Sequence, residues 1–158
     1  MPSDPPSQNS AHNGGGRTLS LGILSSLLGY HLRRAQVAAF QNFAEVVGAS
    51  ELTPGQFGVL VVIDANPGLS QTRLGSALGI DRSTVVAVID RLESRGLVVR
   101  HPSPHDRRSH ALHLSEEGAG VLKRITERVL AHEQMIAAKL TEAELATLIE
   151  LLDRVARR

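Results

Sequence analysis

The segment 70–114, SQTRLGSALGIDRSTVVAVIDRLESRGLVVRHPSPHDRRSHALHL, constrains this chain most. Ser70 is placed to cap a short helix that runs to about Leu78. Gly79-Ile80 then turns the chain, and Asp81 caps a second helix ending at Arg95-Gly96. On that helix Val85, Ile89 and Leu92 recur at i, i+4 and i+7 and face a core, while Arg82, Ser83, Thr84, Ala87 and Arg91 fall on other faces. Residues 97–100 and 109–114 have strand character, and the polar loop 102–108 joins them. The pattern predicts two short helices at a tight turn, followed by a two-stranded ribbon with a basic tip.

That order of parts is a winged helix-turn-helix, which sets its second helix in the major groove of duplex DNA with the ribbon beside it. Arg82, Ser83 and Thr84 stand at the exposed start of that helix. Their short hydroxyl and guanidinium groups can reach base edges, while the backbone N–H groups and the helix dipole favour phosphate. Arg107 and Arg108 at the ribbon tip suit a narrow minor groove, where the potential is most negative. Asp106 can hold one of them in place by a bidentate pair. His105 makes the tip more basic and, with an ordinary imidazole pKa of about 6.5, mildly pH-sensitive. Charge is distributed accordingly. Residues 70–110 hold seven Arg against four carboxylates, whereas 1–69 hold three basic and four acidic residues, and 111–158 seven and eight.

The flanks are helical. Leu24, Leu27, Leu28, Leu32, Ala35, Ala39, Phe43 and Val46 recur at spacings of three and four, which predicts one long helix over 19–48. Thr53-Pro54-Gly55-Gln56 is a capping box with Pro at the first helical position, opening a helix that Asn66-Pro67-Gly68 stops. Ser115, followed by Glu116 and Glu117, opens a long helix, and Thr141–Glu144 opens the last one, with Leu145, Leu148, Ile149, Leu152 and Val155 on one side. These end helices carry more apolar surface than the small module between them can cover. A second copy of the chain, a homodimer, is the simplest cover.

The expected class is therefore mainly α with a small β-wing: a winged helix-turn-helix core over about 53–115, with long dimerisation helices over 19–48 and 115–158. Residues 19–158 are expected to form one domain. The Pro-, Ser-, Asn- and Gly-rich stretch 1–18 is expected to be a disordered tail. There is no Cys, which excludes thiolate catalysis, disulfides and cysteine-based redox sensing. Without a signal sequence or a run of about 18 apolar residues, the expected location is the cytoplasm.

Residues 53–118 resemble the MarR family of transcriptional regulators. The matching pieces are 52–57 (LTPGQF), 74–85 (LGSALGIDRSTV), 90–98 (DRLESRGLV), 106–108 (DRR) and 114–118 (LSEEG), in the family's order and at its spacing. The resemblance implies a homodimer carrying two winged modules on a pseudo-palindromic DNA duplex. It implies that Ser70, Gln71 and Thr72 touch phosphates, that Arg82, Ser83 and Thr84 begin the recognition helix with Arg91 further along it, and that Arg107 or Arg108, braced by Asp106, enters the minor groove beside His105. Two positions depart from the pattern. Many members have Arg where this chain has Ala87, and acids where it has Ser103 and His105.

The resemblance also implies a small anionic or phenolic effector bound where the module meets the dimer helices. Tyr30, His31, Arg33 and Arg34 form one cluster there, with Phe57 at the start of the next helix. An aromatic ring can stack on these rings, and a carboxylate or phosphate can pair with an Arg. The stretch 29–36 (GYHLRRAQ) resembles a subgroup whose effectors include aromatic acids and their coenzyme A thioesters. The leading expectation is a sequence-specific repressor released by such a ligand. The alternative is a constitutive or architectural DNA-binding protein without an effector. No nucleophile motif, paired-carboxylate site or metal spacing points to an enzyme or a cofactor. The wing histidines His101, His105, His110 and His113 do not follow a standard zinc spacing, and alternation along the strands is expected to point some of the rings apart.

Overall fold

A computed structural model describes residues 19–48, 51–102 and 110–157. The 1–18 stretch and the wing tip with His105, Asp106, Arg107 and Arg108 lie outside the described residues.

The chain runs through a 3-10 turn (Gly22–Ser26), α1 (Leu28–Val47), α2 (Pro54–Ala65), β1 (Leu69–Ser70), α3 (Gln71–Leu78), α4 (Arg82–Ser94), β2 (Val98–Pro102), β3 (His110–Leu114), α5 (Glu116–Ala137) and α6 (Glu142–Ala156). Side-chain caps set most helix starts. The Thr53 hydroxyl accepts from the Gln56 N–H while the Gln56 side chain accepts from the Thr53 N–H, closing a capping box at α2. Ser70, Asp81, Ser115 and Thr141 cap α3, α4, α5 and α6 in the same way.

The single long helix expected over 19–48 is broken near its start. Gly22 takes a positive φ of 53°. The Ser25 and Ser26 hydroxyls donate back to the Gly22 and Ile23 carbonyls, offering the backbone an alternative to the α-helical ladder. Leu27 is extended, and the α-helix begins only at Leu28.

The sheet is antiparallel, ordered β1-β3-β2, with Val98 opposite Leu114 and Pro102 opposite His110. It has one strand more than the two-stranded ribbon expected. The two-residue β1, with Leu69 opposite Leu112, is too short to leave a period in the sequence. The core gathers Phe43 and Val47 from α1, Val59, Leu60 and Ile63 from α2, Leu74 from α3, Val85, Ile89 and Leu92 from α4, Val98 and Leu112 from the ribbon, and Leu122, Ile125 and Val129 from α5. α6 buries none of its residues. Among the described residues, no helix is long and apolar enough to cross a membrane.

Candidate nucleic-acid interface

The close crossing of α3 and α4 depends on two glycines. Gly79 ends α3 in the left-handed region (φ 64°), and the Ile80 N–H bonds to the Gly75 carbonyl. A Cβ at Gly75 would lie 3.0 Å from Val85 Cγ2, so this small residue sets the approach of the two helices. Gln71, Thr72, Ser76, Ile80 and Arg82 line the groove of about 440 Å³ between them. Ser70 stands at the start of α3, its hydroxyl accepting from the Arg73 N–H at 3.4 Å. Arg73 is exposed beside it and drew no attention in the sequence.

At the start of α4 the polar groups are already organised. Asp81 Oδ1 accepts from the Thr84 N–H at 2.9 Å and from the Ser83 hydroxyl, and Oδ2 accepts from the Thr84 hydroxyl at 2.6 Å. The Ser83 hydroxyl, then the Thr84 hydroxyl and N–H, hold the Asp81 carboxyl far below the usual carboxylate range. The cap therefore stays anionic. Arg82, Ser83 and Thr84 are exposed around it, Arg91 is exposed two turns on, and Val85, Ile89 and Leu92 are buried on the opposite face.

An ion pair that sequence reasoning missed joins this helix to the wing. Arg100 on β2 donates to Asp90 and Glu93 on the outer side of α4, and its side chain is only 18% exposed. The signal was faint: acids three apart on one helix face, with a cation seven residues past the second. The effect is to neutralise two carboxylates of α4, one of which, Asp90, shares a surface with Arg82. The base of the wing is also fastened. The Ser115 hydroxyl donates to the Gly96 carbonyl, and its N–H donates to the Leu97 carbonyl at 3.1 Å. Gly118 packs so closely here that a Cβ would fall 2.0 Å from the Leu97 oxygen.

Alternation along β3 sets His110 and His113 on opposite faces of the ribbon, while the rings of His101 and His113 share one face. They meet edge to face with centroids 5.1 Å apart. His101 pairs with Ala111, so His113 is its diagonal neighbour on the same face of the ribbon.

The residues expected to bind an effector fall into two places. Near the start of α1, Tyr30 and His31 rings meet edge to face at 5.7 Å, the Arg34 guanidinium lies 5.7 Å from the Tyr30 ring centre, and His31 Nε2 lies 2.9 Å from the Ser25 carbonyl. Arg33 is exposed on the next turn. Phe57 is not with them. It packs on Phe43, centroids 6.1 Å apart, and Phe43 lies thirteen residues past Tyr30, about 20 Å along the helix. Within one chain these groups do not form a single site. Phe57 instead lines a groove of about 570 Å³ between α2 and α5, with Val61, Leu122, Lys123, Val129 and Leu130. Lys123, which the sequence reading passed over, is the cation of that groove, and Asp64 and Glu127 line it as well. Behind it His132 is buried edge to face with Phe43 at 6.0 Å. Neither ring nitrogen of His132 has a hydrogen-bond partner among the described residues, and the Glu133 carboxylate, 3.7 Å from Nδ1, is too far to supply one.

Comparison with known proteins agrees with this architecture. A model described as the MarR family matches residues 50–109. The transcriptional regulatory protein assigned to the hcr operon in Thauera aromatica is 46% identical over 87% of this chain and 83% of its own length. The transcriptional repressor CouR, solved on a 23-mer DNA duplex, superposes with a TM-score of 0.83 at 45% identity over 89% of this chain and 99% of its own. CouR bound to p-coumaroyl-CoA gives 0.82 at 42% identity, over 89% and 99% of the two chains. The PcaV transcriptional regulator of Streptomyces coelicolor, in complex with its natural ligand, gives 0.81 at 34% identity over 88% and 97%.

Proposed function

The chain belongs to the MarR family of winged-helix transcriptional regulators, and we propose that it is a homodimeric repressor of a pseudo-palindromic operator, released by a small aromatic acid or its coenzyme A thioester. The observation that carries the DNA reading is α4. It buries Val85, Ile89 and Leu92 completely and presents Arg82, Ser83, Thr84 and Arg91 outward from a capped start. An exposed N-terminus with a fixed dipole can approach base edges and phosphates without rearrangement. In this reading Ser70, Gln71 and Thr72 meet the phosphate backbone, and Arg107 or Arg108, braced by Asp106 and flanked by His105, enters the minor groove. The two-fold arrangement is supported by the open apolar faces of α1 and α6. Leu148, Ile149, Leu152 and Val155 are 41–54% exposed in the single chain, and a second copy would cover them. Such a protein would act in the cytoplasm, where its DNA is.

The effector reading is supported by two features and by the relatives. Tyr30, His31 and Arg34 offer rings beside a cation, and the α2–α5 groove offers Phe57 beside Lys123. Each pairs an aromatic platform with a cation that would bind a carboxylate or phosphate. Of the two, the Tyr30 cluster suits an anion better, because Asp64 and Glu127 line the α2–α5 groove with Lys123. Ligand binding would favour a dimer shape whose recognition helices no longer sit about 34 Å apart, one turn of DNA. A coupling of about 1–3 kcal/mol weakens operator binding roughly 5- to 150-fold.

The test is fluorescence anisotropy on duplexes selected from a random pool. A palindromic sequence should emerge, with affinity falling steeply as salt rises; binding without sequence preference contradicts the DNA reading. p-Coumaroyl-CoA and a panel of aromatic acids should then raise the melting temperature and release the duplex. If none does either, the protein is a constitutive DNA-binding protein.

A further inference from the structure

The outward stripe of α4 is not uniformly polar. Arg82, Ser83, Val86, Ala87 and Asp90 share one shallow surface of about 520 Å³. They recur at helical spacing along an exposed flank of α4, beside the buried face of Val85, Ile89 and Leu92. Val86 is 37% exposed and Ala87 is also exposed, so the middle of the stripe is an isopropyl group beside a methyl. The polar groups around it are largely committed elsewhere. The Ser83 and Thr84 hydroxyls donate their protons to Asp81, which leaves them only acceptor capacity toward a base. Asp90 is paired with Arg100. Among these residues Arg82 keeps its donors free of any described ion pair.

A helix with this stripe reads a major groove by a basic start and an apolar centre. The major groove edge of duplex DNA presents one apolar group, the C5-methyl of thymine. We propose that Val86 and Ala87 are specificity-determining residues that seat a thymine C5-methyl in each half-site, with Arg82 reaching a neighbouring base edge or phosphate. A long polar side chain at position 87 would occupy this space; the alanine leaves it open. The inference rests on the reading of α4 as the recognition helix, and it goes further by naming the base and the group on it that is read.

The experiment uses the full chain and its selected operator. Each thymine is replaced in turn by deoxyuridine, which removes the methyl and leaves every hydrogen-bonding group in place. One thymine per half-site should weaken binding about fourfold when replaced, and about fifteenfold when both half-sites are changed, the worth of one buried methyl each. Val86→Ala should bind the thymine operator more weakly and lose most of its sensitivity to uracil. Val86→Ile, which keeps the apolar contact, should remain sensitive. Melting temperatures of both variants near that of the parent separate readout from folding. Binding that ignores every thymine-to-uracil change, or Val86→Ala with undiminished sensitivity, overturns the proposal while leaving the recognition helix in place. Failure to select any duplex overturns both.

Discussion

The winged module and the helical flanks are built from similar aliphatic residues but solve the burial problem differently. In the module, Leu74, Ile89, Leu92 and Leu112 are fully buried within the chain itself. In the flanks, Leu28 is 60% exposed and Ile149 54%, although both lie on faces with the same periodicity. Amphipathic spacing tells which side of a helix seeks cover, and not whether the cover comes from the same chain. The seam between the two regions lies on α1 and α5, where Phe43, Val47, Ile125 and Val129 belong to the core while the earlier turns of α1 do not.

Substitutions can break this division. The largest effect is expected from Leu148→Glu with Leu152→Glu on α6. If a second copy covers this face, the double variant becomes a monomer by sedimentation and loses operator affinity roughly a hundredfold or more, because two half-sites are no longer held together. The module should still unfold cooperatively. Loss of the module's folding as well would show that the two regions are not separable. Gly118→Ala strikes the opposite region. A Cβ 2.0 Å from the Leu97 oxygen cannot be accommodated without moving the wing base, and urea unfolding should show a loss of about 3 kcal/mol or more.

A smaller effect is expected at Arg100→Ala. Asp90 and Glu93 are 57% and 40% exposed, so solvent offsets much of the pairing, and stability should fall by about 1 kcal/mol. Operator affinity should fall as well, since Asp90, on the surface it shares with Arg82, would be left uncompensated. Unchanged affinity would separate the ion pair from recognition. The smallest change is expected at His132→Leu on the seam. Replacing a buried imidazole whose nitrogens lack partners among the described residues should leave thermal stability unchanged or raise it by about 1 kcal/mol. A clear loss would mean that a partner copy or a bound ligand satisfies that ring.

Much of the fold was legible because its signals are local. Thr53, Ser70, Asp81, Ser115 and Thr141 each bond backbone within their own first turn, so the sequence alone places these five caps. The buried trio Val85, Ile89 and Leu92 follows from helical spacing. What escaped depends on chain segments meeting across the fold. β1 exists only through its pairing with Leu112 and Ala111. The break at Leu27 arises where serine hydroxyls compete with a ladder that periodicity alone would have continued. Arg100 gains meaning only once β2 lies beside α4. For the effector site, sequence grouped Phe57 with Tyr30 through their types. The geometry separates them and sets Phe57 beside Lys123 instead.

The central claim is that one self-contained reader is duplicated by helices that one chain leaves open. Sedimentation of the full chain, alone and with its operator, tests it most directly. The predicted result is a free species of twice 16.9 kDa that places two chains on one duplex carrying inverted half-sites about 34 Å apart. A species of 16.9 kDa that binds a single half-site as tightly as the inverted pair would contradict it.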